Sequence, residues 1–244
     1  MPAGVSRKRQ THAGIAMIKA VFTDVDGTIT DYDDRLGVEA IEAIRKLEGA
    51  GVKVSLCSGN ALCVLKALGR YIGCSGPLVA ENGGVVEYKG RMYILCKIRE
   101  AKRAVERLRE RYGDRVSESW SNRYRFVDMA ILRTLEYGEV MEVVKGFKGM
   151  KVIDSGFAFH ILDESVDKGV GVSKALGLLG IGREEAAGIG DSMTDSELLR
   201  ACGFKAMVAN GDRRLIGTVD YVAREKFGRG FAEIAEKILI DRRV

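Results

Sequence analysis

Short apolar runs, each closing in a polar turn that contains glycine, recur along this chain with helical spacing between them. Ile18 to Phe22, Val52 to Leu56 and Pro77 to Ala80 read as strands. Between them, Val38, Ile41, Ile44 and Leu47, and then Leu62, Leu65, Leu68 and Tyr71, repeat at three to four residues, the period of a helix with one buried face. Strands that are apolar throughout belong to a sheet covered on both sides. Alternating strand and helix with right-handed crossovers gives parallel pairing. The expected class is α/β, with a Rossmann-like parallel-sheet core.

The rhythm breaks at Val85. Val85 to Tyr88 and Met92 to Cys96 read as a hairpin, Ile98 to Tyr112 as an amphipathic helix and Tyr124 to Leu132 as a strand. Tyr137 to Phe147 reads as a helix, and Lys151 to Ile153 with Phe157 to Leu162 as a second hairpin. The first rhythm resumes at Asp167 with a helix from Val170 to Leu179 and a strand from Ala186 to Ile189. A helix from about Asp195 to Ala201, strands Phe204 to Ala209 and Tyr221 to Ala223, and a closing helix Phe231 to Ile240 complete it. The reading is a core domain of residues 17–84 and 161–244, interrupted by an inserted α+β cap domain, residues 85–160. Residues 1–16, with Arg7, Lys8 and Arg9 but no apolar stretch, are expected to be a disordered tail rather than a secretory signal.

Two carboxylates, Asp24 and Asp26, stand where the first strand should end. Residues two apart in extended chain point to the same side, and Gly27 permits a sharp bend just after. Such a pair in a crevice calls for a cation. Three later segments fall at comparable positions: Ser58 and Asn60, Lys168, and Asp191 with Asp195. The carboxyl ends of parallel strands open onto one crevice, so these residues can meet. Hard oxygen ligands suit Mg²⁺, while the lysine, hydroxyl and amide suit phosphoryl oxygens. The simpler alternatives are a solvated acidic loop, a surface Lys168, a helix cap at Ser58 and Asn60, and a first-turn helix acid at Asp195. His160, in an apolar strand, reads as a structural residue with a satisfied ring.

Hydrophobic residues make up 46% of the chain and charged residues 30%, as in an ordinary soluble globular protein. The net charge of +5 lies wholly between Val85 and His160, where 16 Lys and Arg face 11 Asp and Glu. That excess suits an anionic ligand or a solvated helix face. Trp120, Tyr124 and Phe126 are too few for a base-stacking platform, so no nucleic acid is expected. No apolar stretch is long enough for a bilayer. Five cysteines without a Cys-x-x-Cys pair are read as reduced, mostly buried thiols of a cytoplasmic protein.

The segments Asp24-Val25-Asp26-Gly27-Thr28, Ser58, Lys168 and Gly190-Asp191-Ser192-Met193-Thr194-Asp195 resemble, in order and spacing, the four motifs of haloacid dehalogenase-superfamily phosphatases. Glu81-Asn82-Gly83-Gly84 before an α+β insert resembles the type IIB cap subclass. Val54 to Asn60, Val208 to Gly211 and the ending from Asp220 resemble the archaeal-type phosphoglycolate phosphatases. The resemblance implies a Mg²⁺-dependent phosphomonoester hydrolase, with 2-phosphoglycolate its substrate; a sugar-phosphate phosphatase or phosphomutase of the same cap type is the alternative. It implies that Asp24 attacks phosphorus and that Asp26 is the acid and base. It further implies that Asp24, Asp26 through its carbonyl, Asp191 and Asp195 hold the metal, and that Ser58, Asn60 and Lys168 hold the phosphate. Thr28 would support the turn. Thr194 stands where the family often has Asn, which bears on metal affinity. Arg123, Arg125 and Arg133 are candidates for the acid group of a small anionic substrate, and a homodimer is an open alternative.

Overall fold

The computed structural model describes residues 17–241, so the tail expected over 1–16 lies outside the described residues. In chain order the strands are β1 (Ala20–Thr23), β2 (Lys53–Leu56), β3 (Leu78–Ala80), β4 (Val85–Tyr88), β5 (Arg91–Ile94), β6 (Met129–Leu132), β7 (Met150–Asp154), β8 (Ala158–Asp163), β9 (Ala186–Gly190), β10 (Phe204–Met207) and β11 (Tyr221–Val222). The helices are α1 (Val38–Gly49), α2 (Leu62–Ile72), α3 (Arg99–Tyr112), α4 (Tyr137–Val144), α5 (Lys168–Leu179), α6 (Ser196–Ala201) and α7 (Phe227–Asp241).

A five-stranded parallel sheet in the order β11-β10-β9-β1-β2 forms the centre. β1 lies between β9 and β2 and is fully buried. Alternation along β1 sends Val21 to one side, among Ile44, Leu47, Val54 and Phe231. Phe22 goes to the other side, among Val172, Leu176 and Leu198. Residues of α1, α2 and α7 therefore cover one face, and those of α5 and α6 the other. Burying a ring such as Phe22 contributes about 1.5–3 kcal/mol.

β3 continues this sheet through one parallel bridge, Cys57 to Val79. It then pairs antiparallel with β4, which pairs with β5. Val85 and Val86 of this hairpin are buried with residues of the central sheet. A third sheet, β6-β8-β7, is antiparallel and packs Ile131, Phe159 and Ile161 against Val105, Leu108 and Val140 of α3 and α4.

The strand expected over Tyr124 to Leu132 is only half present. Trp120–Tyr124 form a 3₁₀ turn, and β6 begins at Met129. The cause is Glu81: its Oε2 accepts the backbone N–H of Phe126 at 2.8 Å and of Val127 at 2.9 Å, donors a β ladder would otherwise use. The last helix starts four residues before the expected Phe231, because Asn210 Oδ1 accepts the Phe227 N–H at 2.8 Å. Of the five cysteines, all free thiols, Cys57 and Cys202 are buried and Cys63 is exposed.

Candidate active site

The carboxyl ends of β1, β2 and β9 lie side by side, because β1 is bonded to both of the others. Asp24 follows β1 directly, its N–H still on the ladder to Ile189. Gly27 turns the chain with φ +83°, and a Cβ there would lie 2.7 Å from Asp191 Oδ2. Only glycine lets the two acidic segments approach this closely. Thr28 Oγ1 donates to Asp191 Oδ1 at 2.9 Å.

Lys168 enters from the first turn of α5, whose start is fixed by Asp167 accepting the Val170 N–H. Its Nζ donates to Asp24 Oδ1 at 2.7 Å and to Asp195 Oδ1 at 2.6 Å. Asp195 is fully buried. Its second oxygen accepts the N–H groups of Asp191 and Ser192 and the Ser192 hydroxyl, closing the 190–195 loop on itself. Thr194 Oγ1 is 2.6 Å from Ser192 Oγ within the same loop.

Asp26 faces the other way. Its Oδ2 accepts from Asn60 Nδ2 at 2.9 Å and from Ser58 Oγ at 3.4 Å. The structure thus brings all seven expected residues to one end of the sheet, in two linked groups: Asp24, Lys168, Asp191 and Asp195 in one, and Asp26, Ser58 and Asn60 in the other. Carboxylate oxygens of Asp24, Asp191 and Asp195 lie within 4.8 Å of one another; the side chain of Asp26 is not in that cluster.

The electrostatics of the first group are unbalanced. Burial raises the Asp24 carboxyl well above its usual range, and Asp195 adds to this while Lys168 opposes it. Asp191 is pushed up to about 7, by burial and then by Asp195. Burial works against the charge on Lys168, but Asp195 and Asp24 more than offset it and hold its proton well above the ordinary lysine value. One ammonium among three acids leaves a deficit of positive charge, and the donors are all hard oxygens. A divalent cation of the Mg²⁺ type fits both facts. Burial likewise raises Asp26.

Two site-linked residues, Asn210 and Asp128, have no site role in the reading from sequence. Asn210 Nδ2 donates to the Gly27 carbonyl at 2.8 Å while its oxygen starts α7, so one side chain ties β10 to the acidic turn. Its place just after a strand was the available signal. Asp128, fully buried, accepts from Arg125 at 2.5 Å and from His160 at 2.8 Å. An acid inside an otherwise apolar run was the signal there. Of the three arginines considered, Arg125 is buried at the junction with the core. Arg133 instead pairs with Asp154, and Arg123 lies over the Tyr124 ring.

A parallel sheet wound on both faces, an inserted α+β lobe and an acid–lysine cluster at the strand ends define an α/β protein whose site suits a metal-held phosphoryl group. Comparison with known proteins agrees. The family model described as haloacid dehalogenase-like hydrolase matches residues 21–126 and 135–234. A phosphoglycolate phosphatase of Methanospirillum hungatei is 37% identical over 222 residues, covering 89% of this chain and 95% of its own. Phosphoglycolate phosphatase 1 of Saccharolobus solfataricus is 38% identical over 225 residues, covering 91% and 96%. The crystal structure of Thermoplasma acidophilum 0175 superposes with a TM-score of 0.85 at 28% identity, covering 92% of this chain and 99% of that one. The chain belongs to the haloacid dehalogenase-like hydrolases. It is a phosphoric monoester hydrolase of that family. Among the described residues no helix is long and apolar enough to cross a membrane.

Proposed function

We propose that this hydrolase cleaves 2-phosphoglycolate to glycolate and phosphate, with Mg²⁺, through an aspartyl phosphate on Asp24. The observation that carries the reading is the buried Asp24 carboxylate at the end of β1, 2.7 Å from Lys168 and clustered with Asp191 and Asp195. The relatives' names support the substrate, as does the concentration of basic charge between Val85 and His160.

An oxygen of Asp24 attacks phosphorus, and the bond to the substrate's ester oxygen breaks. Asp26, kept protonated more readily than an ordinary Asp, gives that oxygen its proton. Asp26 then takes a proton from water, whose oxygen attacks the phosphorus and displaces Asp24. Two easier displacements replace one difficult one. Lys168 moves its hydrogen bonds from Asp24 toward the phosphoryl oxygens, while Ser58 and Asn60 hold Asp26 and the adjacent phosphoryl oxygens. Asp24, the Asp26 carbonyl and Asp191 would hold Mg²⁺, with Asp195 fixing Lys168 and the loop. The bound cation supplies the positive charge that lets carboxylate and phosphate dianion approach. Residues 17–84 and 161–244 are assigned to the core and 85–160 to the cap, whose leading β4–β5 hairpin packs against the core.

The test is phosphate release from a panel containing 2-phosphoglycolate, hexose phosphates and phosphoglycerates, with Mg²⁺ and with a chelator. Fastest turnover of 2-phosphoglycolate, abolished by the chelator, is expected. Faster turnover of hexose phosphates would move the reading to a sugar-phosphate phosphatase, and no release from any of them would overturn it.

A further inference from the structure

The cap sheet has two faces. Phe159 and Ile161 of β8 are buried with α3 and α4, so His160 between them lies on the opposite face. There its Nδ1 meets Asp128 Oδ2 at 2.8 Å. Asp128 is fully buried; Arg125 Nη1 donates to its other oxygen at 2.5 Å, and Asn82 Nδ2 to Oδ2 at 3.3 Å. Burial works to raise the Asp128 carboxyl, but His160 and Arg125 keep it below the ordinary range.

This cluster touches the catalytic loop. Arg125 Nη1 also donates to the carbonyl of Gly59 at 3.0 Å, and Gly59 sits between the two residues that bond Asp26. Asn82, the fourth member, gives its N–H to the Ser58 carbonyl at 3.2 Å. Arg125 Nε is occupied by Ser121 Oγ at 3.1 Å. Two polar atoms are left over. Among the described residues neither Arg125 Nη2 nor His160 Nε2 has a hydrogen-bond partner, and neither belongs to the buried unpaired atoms, which are Ser55 Oγ and Glu81 Oε1.

We infer that Arg125 and His160, fixed in place by their shared carboxylate Asp128, bind the carboxylate of a small phosphoester whose phosphoryl group lies at Asp24. This rests on the proposed function and adds to it the groups that select an acid-bearing substrate. Arg125 offers a permanently charged planar fork with one nitrogen still free. His160 gives one ring nitrogen to Asp128 and presents the other to the ligand. Asp128 touches no ligand; it is a positioning residue that sets the guanidinium and the ring at a fixed separation.

The experiment compares kcat/KM for 2-phosphoglycolate with that for ethyl phosphate, the same two-carbon ester with a methyl group in place of the carboxylate. The wild-type protein should prefer the acid. In Arg125→Lys, which keeps the charge and loses the fork, the ratio of the two constants should fall roughly 10- to 100-fold, the value of one or two charged hydrogen bonds. If Arg125→Lys does not fold, His160→Phe decides by the same ratio. A purely structural brace lowers both constants together, so an unchanged ratio overturns the inference. Equal wild-type constants for the two esters also overturn it while leaving the phosphatase reading intact; absence of turnover of every phosphoester is instead the failure of that reading.

Discussion

Lys168 Nζ lies 2.7 Å from Asp24 Oδ1, joining residues 144 apart in the chain. Both side chains are almost wholly buried. The pair is unequal in its effects on stability. Removing the cation in Lys168→Met leaves Asp24 and Asp195 buried without their partner, and the stability lost should be about 3 kcal/mol or more. Asp24→Asn instead removes one of three crowded acids from the site. It should abolish phosphate release while the metal-free Tm does not fall. Thermal melts in a chelator with activity alongside check both; a large Tm loss in Asp24→Asn would show that the acid stabilises the fold.

The deficit of positive charge gives a second expectation. Mg²⁺ binding only the folded state should stabilise the wild-type protein by about 2.7 kcal/mol at a hundredfold excess over Kd. For a chain of this length that is a Tm rise of roughly 5–10 °C. Asp191→Asn, which removes a charge that Thr28 and Gly27 hold against the acidic turn, should lose most of that rise. An undiminished rise in Asp191→Asn would mean that the cation binds elsewhere.

The meeting of Asp24, Lys168, Asp191 and Asp195 could be anticipated because each follows or opens a regular element, and parallel strands carry all such ends to one edge. The pairing of Ser58 and Asn60 with Asp26 could not, since their spacing says only that they share a loop. The Asp128 cluster was hidden for a different reason. It forms only when the insert closes on the 81–84 turn, and its hydrogen bond to Asn82 spans 46 positions. The misread start of β6 has the same origin: a carboxylate from Glu81 replaces a neighbouring strand, and no local pattern announces it. β3 showed its strand character but not its second neighbour, because short apolar runs suit parallel and antiparallel pairing alike.

Glu81 also predicts a pH dependence. Its Oε2 is taken up by backbone donors, while Oε1 is buried without a partner. Burial, with Asp128 adding to it, lifts the carboxyl from 4.5 to about 7. A group whose pKa is higher in the folded state stabilises fully below the unfolded value and loses that contribution as pH rises through the folded one. The loss should run from about pH 4.5 to about pH 7 and amount to at most about 3 kcal/mol. Glu81→Gln carries no such titration. Its Tm relative to wild type should climb with pH across that window, whatever constant offset its buried amide introduces. A flat difference would mean that Glu81 is ionised throughout.

The 81–84 turn finally predicts how the cap junction supports Lys168. Glu81, Asn82 and Gly83 all have positive φ, at 51°, 55° and 94°. Gly83 is pressed against the start of α5: a Cβ there would lie 1.8 Å from the Asp167 carbonyl oxygen and 2.9 Å from the Lys168 nitrogen. Those neighbours are backbone and cannot rotate away, so Gly83→Ala must push the first turn of α5, and Lys168 with it, off Asp24. The expected cost is about 3 kcal/mol or more, with a fall in kcat of roughly 100-fold for a small misplacement of a catalytic group. Gly90 is the control. It has φ +80° in the β4–β5 turn, with nothing within 4 Å of an added Cβ. Gly90→Ala should lose only the left-handed penalty of about 1–2 kcal/mol and keep its kcat. Should the two variants match in melting and in turnover, the 81–84 turn does not hold Lys168 in place, and α5 is positioned by its packing against α6 and the sheet alone.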